Sequence, residues 1–166
     1  MTPFPRVILG VDPGLAFTGY GIIAAAGSRL QCLDFGVIQT QAEQAPADRL
    51  LAIFTSLTQV VSRYQPHAAA IETLYFAKNV TSGLGVSEAR GICLLTFAQA
   101  GIPIGQYAPN AIKKTVTGIA QADKAQVQRA VQLLLGLRTV PKPDHAADAL
   151  AAAITYVHNG AVRALP

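Results

Sequence analysis

Charge is scarce in this chain. Only 13% of its 166 residues are Asp, Glu, Lys or Arg, half the ~25% share usual for soluble domains. Tryptophan is absent, and there are only two cysteines. Two cysteines cannot build a disulfide framework, so the fold must rest on its apolar core, which a chain of this length can bury. Cys32 and Cys93 both stand in apolar surroundings and read as buried thiols of a reducing compartment. A long apolar run is missing too. The longest uncharged stretch, residues 91–112, contains Gly101, Pro103 and Gly105, whereas a spanning helix needs about 20 predominantly apolar residues. The N-terminal apolar run is only Val7 to Val11, ended by Asp12, too short for a secretion signal. These shortages argue against a membrane protein and for a cytoplasmic one.

What is abundant is apolar side chain, 51% of the residues, which argues against disorder as the main state. The length suits a single domain over residues 1–166, with residues 162–166 as a tail prone to fraying. High apolar content with little charge also suggests a surface buried in a dimer. The net charge of +4 is unevenly placed. Residues 1–77 hold four basic against five acidic residues, and residues 78–166 hold nine against four. A basic half suits a polyanionic partner, although many basic proteins touch no nucleic acid.

The patterning is that of an α/β domain. Val7 to Val11 has the continuous apolar character of a central strand. Phe17 to Ala26 and Gln31 to Thr40 read as two more strands, joined at Gly27-Ser28 by a hairpin signal into an antiparallel meander. Ala47 to Tyr64 has helical spacing, with Asp48 in its first turn. Ala68 to Glu72 is a short strand and Thr73 to Ser82 a loop. Leu84 to Ala100 is a helix that is apolar nearly all round. A last strand, Ile102 to Tyr107, precedes helices at Asn110 to Val116, Asp123 to Leu135 and Asp144 to His158. Connection rules then give a mixed five-stranded sheet flanked by helices, the fourth strand returning parallel to the first.

Four of the nine acids fall at three places this topology can bring together. Asp12 ends the first strand and Glu72 the fourth, at the sheet edge where open α/β sheets bind ligands. Asp144, His145 and Asp148 open the last helix, where spacings of three and four put Asp148 on one face with its neighbours. Clustered carboxylates need a compensating cation, and oxygen donors suit Mg²⁺ or Mn²⁺. Two such ions can activate water for phosphodiester hydrolysis. Plainer roles stand beside this. Asp12 before Pro13-Gly14 is a turn former, Glu72 a solvated strand end, His145 a surface side chain and Asp144 an N-cap. Gly19 and Gly21 weaken the second strand and need a reason, either close approach of a phosphate backbone or a bulge.

Ile8-Leu9-Gly10-Val11-Asp12-Pro13-Gly14 with Thr18-Gly19-Tyr20-Gly21 resembles the opening of the RuvC family, the bacterial Holliday-junction resolvases. Ala70-Ile71-Glu72 with Phe76-Ala77-Lys78-Asn79 resembles the second motif of that family. Lys113-Lys114-Thr115-Val116 with Gly118 and Lys124-Ala125-Gln126-Val127 resembles the third, and Asp144-His145-Ala146-Ala147-Asp148 the last. The resemblance implies a ribonuclease H-like fold and a homodimeric endonuclease that nicks two strands of a four-way DNA junction, leaving 5′-phosphates and 3′-hydroxyls. It implies Asp12, Glu72, His145 and Asp148 as catalytic and metal-binding positions, with Mg²⁺ or Mn²⁺ as cofactor, two per site. Family members carry Asp or His where this chain has His145, and imidazole favours Mn²⁺ over Mg²⁺. Asp144 then ranks as a cap first and a substitute ligand second.

The resemblance also implies Tyr75 as the aromatic that stacks on an unpaired base, a contact worth about 1–3 kcal/mol per base, and Lys113 and Lys124 as phosphate contacts. Lys78, Lys114 and Arg129 extend the basic surface. Packing of Tyr75 or Phe76 into the core is the plainer alternative. On the helix at 84–100, Gly85, Ala89, Gly91 and Cys93 form a small-residue face expected to build a two-fold interface, against the alternative of a helix buried within one chain. Such a dimer repeats its site by the operator of a two-fold junction. The RuvAB branch-migration complex is implied as a partner by the resemblance alone. Rival readings are a junction-binding module without catalysis, a ribonuclease H-like nuclease for another substrate, and an actin-like phosphotransferase fragment, for which the chain is short.

Overall fold

The computed structural model describes residues 5–73 and 80–160. Tyr75, Phe76, Lys78 and the tail at 162–166 lie outside the described residues.

Three strands, β1 (Arg6–Asp12), β2 (Phe17–Ala26) and β3 (Arg29–Gln39), form the meander, turned at Gly27 with φ 59°. Helix α1 (Pro46–Tyr64) ends at Gln65 in the left-handed conformation, just before Pro66. Next come β4 (Ala68–Glu72), α2 (Val80–Gln99), β5 (Ile104–Tyr107), α3 (Pro109–Thr117), α4 (Lys124–Leu134) and α5 (Asp144–Asn159). The sheet order is β3-β2-β1-β4-β5, with β1–β4 and β4–β5 parallel and the rest antiparallel. This is the expected mixed five-stranded α/β sheet, its helices lying on both faces.

Strand periodicity decides which residues meet which layer. Leu9, Val11, Ile22, Ala69 and Ile71 pack with α1 and α2 through Ile53, Leu57, Ala89, Cys93 and Phe97. Ile8, Ile23, Ala68 and Ala70 pack on the other face against α5 and the α3–α4 pair. Two residues beyond Gly10 and Ala70 in the same alternation come Asp12 and Glu72. Both therefore belong to the α5 face.

Helix α5 lies directly on the sheet because both partners are stripped of bulk. Ala146, Ala147, Ala149, Ala151, Ala152 and Ala153 are buried along it. A Cβ on Gly10 would stand 1.8 Å from the Ala149 carbonyl oxygen, and one on Gly19 would stand 2.0 Å from that of His145. Gly21 faces Leu150 in the same way. Neither phosphate approach nor a bulge explains Gly19 and Gly21: they make room for the helix. The irregularity in β2–β3 pairing lies beyond them, at Ile22/Ile23.

Two further expectations change. Asp144 does not cap α5. Pro143 holds the N-cap position, while the Asp144 carboxylate accepts from Gln128 Nε2 at 2.6 Å and lies 3.7 Å from Lys124 Nζ. On α2, Ala89 and Cys93 are fully buried rather than outward, because the apolar sheet claims that face. The outward stripe instead carries Leu84, Glu88, Gly91 and Leu95, with Leu84 at 57% and Leu95 at 49% exposure. Both cysteines are free thiols; Cys93 is buried as expected, whereas Cys32 is only half-buried. Burial pushes both thiols up, to about 12 and about 11.

Candidate active site

In the parallel pairing of β1 with β4, Val11 lies opposite Ile71. Asp12 and Glu72 follow those partners by one residue each, so the two carboxylates leave the sheet side by side. Helix α5 brings its first turns over the same edge. His145 Nδ1 donates to Asp12 Oδ2 at 2.7 Å, and Asp148 follows three residues later, less than one turn along the helix.

The carboxylates feel one another's charge. Burial raises Glu72 from 4.5 to about 7, reinforced by Asp12 and Asp148 and opposed by Lys113. Burial also raises Asp148 from 3.8 to about 6, reinforced by Asp12 and opposed by Lys124 and His145. His145 is raised first by its hydrogen bond to Asp12, against the opposite pull of desolvation. A group of acids that raise one another is an arrangement with too little positive charge. As they stand, no three His, Cys, Asp or Glu side chains among the described residues gather tightly enough to enclose an ion. The donor chemistry nonetheless fits a hard divalent cation: three partly desolvated carboxylates and one imidazole, offset by Lys113, Lys124 and His145 itself.

A cleft of about 220 Å³ opens beside the acids, lined by Glu72 and Asp148, by Pro109, Ile112 and Lys113 from α3, and by Lys124 and Val127 from α4. The acids and two of the singled-out lysines thus share one concavity. Lys114 does not line it; that side chain is exposed on α3. Arg129 instead lines an apolar groove between α3 and α4. The α4 start is fixed by a reciprocal capping box between Asp123 and Gln126, which places Lys124 at the first helical position.

The family model described as Crossover junction endodeoxyribonuclease RuvC matches residues 8–156. The chain belongs to the RuvC family. Among its curated relatives, the RuvC of Treponema denticola is 57% identical over 155 residues, covering 93% of this chain and 87% of the relative. That of Treponema pallidum is 60% identical over 152 residues, covering 92% and 78%. The solved structure of Thermus thermophilus RuvC in complex with Holliday junction substrate superposes with TM-score 0.87 at 31% identity, over 92% of this chain and 93% of that one. As a RuvC-family protein with the ribonuclease H-like fold, this chain is a crossover junction endodeoxyribonuclease, a DNA-binding nuclease of recombination. The family is metal-dependent.

The structure adds contacts to this candidate site that patterning does not single out. Arg90 of α2 donates through Nε to the Glu72 backbone carbonyl at 3.3 Å and through Nη2 to Gln106 Oε1, anchoring the strand end that presents Glu72. Its signal in sequence was a lone arginine in an apolar helix. Phe17 lies against His145, with no sequence signal beyond an aromatic at a strand start. No helix among the described residues is long and apolar enough to cross a membrane.

Proposed function

We propose that this chain resolves four-way DNA junctions as a homodimer, making paired symmetric nicks that leave 5′-phosphates and 3′-hydroxyls. The observation that carries this reading is the meeting of Asp12, Glu72, His145 and Asp148 at one sheet edge, beside a lysine-lined cleft, in a RuvC-family chain. We assign these four residues as the ligands of two divalent ions, Mg²⁺ or Mn²⁺. When bound, such ions activate a water and stabilise the leaving oxygen of the phosphodiester.

The chain's own residues supply the rest. Lys113 and Lys124 bind phosphate across the cleft from the carboxylates, and each such contact steepens the salt dependence of binding by about 0.9 in log–log slope. Asp12 accepts the hydrogen bond from His145 Nδ1–H, leaving the lone pair of the unprotonated Nε2 free for a metal ion. Arg90 keeps the end of β4 in place. Lys114 and Lys78 extend the phosphate-binding surface, and Tyr75 stacks on an unpaired base. The outward stripe of α2 forms the two-fold interface. Residues 1–166 act as a single nuclease domain in the cytoplasm, and the RuvAB branch-migration complex delivers the junction.

A labelled synthetic four-way junction, a linear duplex of matched sequence and an RNA–DNA hybrid test this together, in Mg²⁺ and Mn²⁺. The expected result is paired nicks in opposite junction strands, faster in Mn²⁺, with loss of about 10³-fold or more in Asp12→Asn. Cutting of the hybrid instead would overturn the substrate. Equal rates in the two metals at matched concentration would overturn the role given to the His145 imidazole.

A further inference from the structure

Strand β2 opens with an aromatic side chain that folding leaves 39% exposed. Phe17 has a partner nonetheless. Its ring lies parallel-offset on His145, with centroids 5.8 Å apart and planes 14° from parallel, within the range of attractive aromatic pairs. The imidazole is thus held on two sides, on its edge by Asp12 Oδ2 at 2.7 Å from Nδ1 and on its face by Phe17.

The backbone carrying Phe17 has little freedom. The preceding Ala16 carbonyl accepts from the Thr40 N–H at 3.0 Å. The following Thr18 hydroxyl donates to the Gly14 carbonyl at 2.7 Å. Phe17 itself pairs with Gln39, and Gly19 is pressed against the His145 carbonyl. Ring and imidazole are therefore set by one rigid junction of β2 with α5. A histidine held by a single hydrogen bond, with its side chain 41% exposed, retains a competing ring orientation, turned by half a revolution. In that orientation a carbon replaces Nδ1 at the Asp12 carboxylate.

We propose that Phe17 is a positioning residue for His145, covering one face of the ring so that Nδ1 stays on Asp12 and Nε2 keeps its lone pair for ligation. This rests on the reading of His145 as a metal ligand. Orienting contacts around a ligating histidine act on metal affinity and turnover by about 10–100-fold. One half-exposed ring belongs at the low end of that range.

The test uses Phe17→Leu, which keeps apolar bulk without the ring, and Phe17→Tyr, which keeps the ring. Long-range ¹H–¹⁵N spectra of the metal-free protein, recorded at alkaline pH where the imidazole is neutral, report the His145 tautomer directly. His145→Gln identifies the signal. The expected wild-type pattern is a single Nδ1–H tautomer with upfield-shifted ring protons. Phe17→Leu should average the two nitrogen shifts and abolish the upfield shift, and Phe17→Tyr should restore both. In junction cleavage, Phe17→Leu should lower kcat about tenfold with KM unchanged. An unchanged His145 spectrum in Phe17→Leu overturns the proposal. So does a raised KM at constant kcat, which would make Phe17 a DNA contact. If wild-type protein cuts no junction, the resolvase reading fails, while the metal-free spectrum still decides the role of Phe17.

Discussion

Among the described carboxylic acids, Glu72 and Asp148 are those whose protonation the fold alters most. Held at about 7 and about 6, they bind protons in the folded state at pH values where the unfolded chain has already released them. The metal-free protein is therefore stabilised at low pH and loses that stability as pH rises, from 3.8 through about 6 for Asp148 and from 4.5 through about 7 for Glu72. His145, also raised, acts in the same direction: its contribution is complete below 6.5 and lost as pH rises through the folded value. With partial solvent screening, Glu72 and Asp148 together account for about 1–2 kcal/mol. Thermal melts without metal should accordingly show Tm falling by about 3–8 °C between pH 5 and pH 8. Glu72→Gln should flatten the curve, because a neutral amide has no proton to lose. Divalent cation should raise Tm more at pH 8 than at pH 5, since ligation competes with protons. A Tm that rises with pH in the metal-free protein would contradict this electrostatic account.

At the scale of elements, the site depends on how near α5 comes to the sheet. The helix reaches Asp12 only because Gly10, Gly19 and Gly21 present no side chain to it, and because alanine lines its buried face. Gly10→Ala sets a methyl against the Ala149 carbonyl, and backbone cannot yield as a flexible side chain does. The expected cost lies at the upper end of the ~1–3 kcal/mol usual for overpacking, read as a lower urea midpoint with unchanged m-value. Cleavage should fall further than stability alone requires, because α5 would carry His145 and Asp148 away from β1 and β4. Asp123→Ala, which removes the α4 capping box, should cost about 1 kcal/mol and leave the carboxylates in place. Because the capping box also places Lys124, the two variants are compared at saturating junction, where equal losses of kcat would show that α5 packing does not set the chemistry.

For the whole molecule, the question is what covers α2. One side of that helix is buried against the sheet and the other shows Leu84, Gly91 and Leu95 to solvent. A second copy placed there by a two-fold axis gives two sites related by the symmetry of a four-way junction. Light scattering should find twice the 17.4 kDa chain mass. Leu95→Glu should give a monomer that still folds but no longer makes paired nicks. A monomeric wild type at micromolar concentration would remove the interface.

Much of this protein was legible in the residues. Apolar runs, Gly27-Ser28, Pro66 and the helical spacing of α1 mark elements through local physics, and connection rules turn them into a sheet order. The placement of Asp12 and Glu72 at one edge follows from strand order alone. Other features were not local. Gly19 and Gly21 looked like a phosphate approach or a bulge because nothing near them in sequence names the helix, some 125 residues away, that they accommodate. Asp144 looked like a cap because that is the default for an acid after proline, and only the fold brings Gln128 and Lys124 to its carboxylate. The inward face of α2 is not legible in sequence because a helix apolar all round carries no periodic signal. Sequence by itself determined the strands, helices and sheet order, since backbone propensity and alternation act over a few residues. Tertiary structure alone decided which groups touch at the site, because those contacts join β2 to α5, α2 to β4 and α4 to α5 across distances no local pattern records.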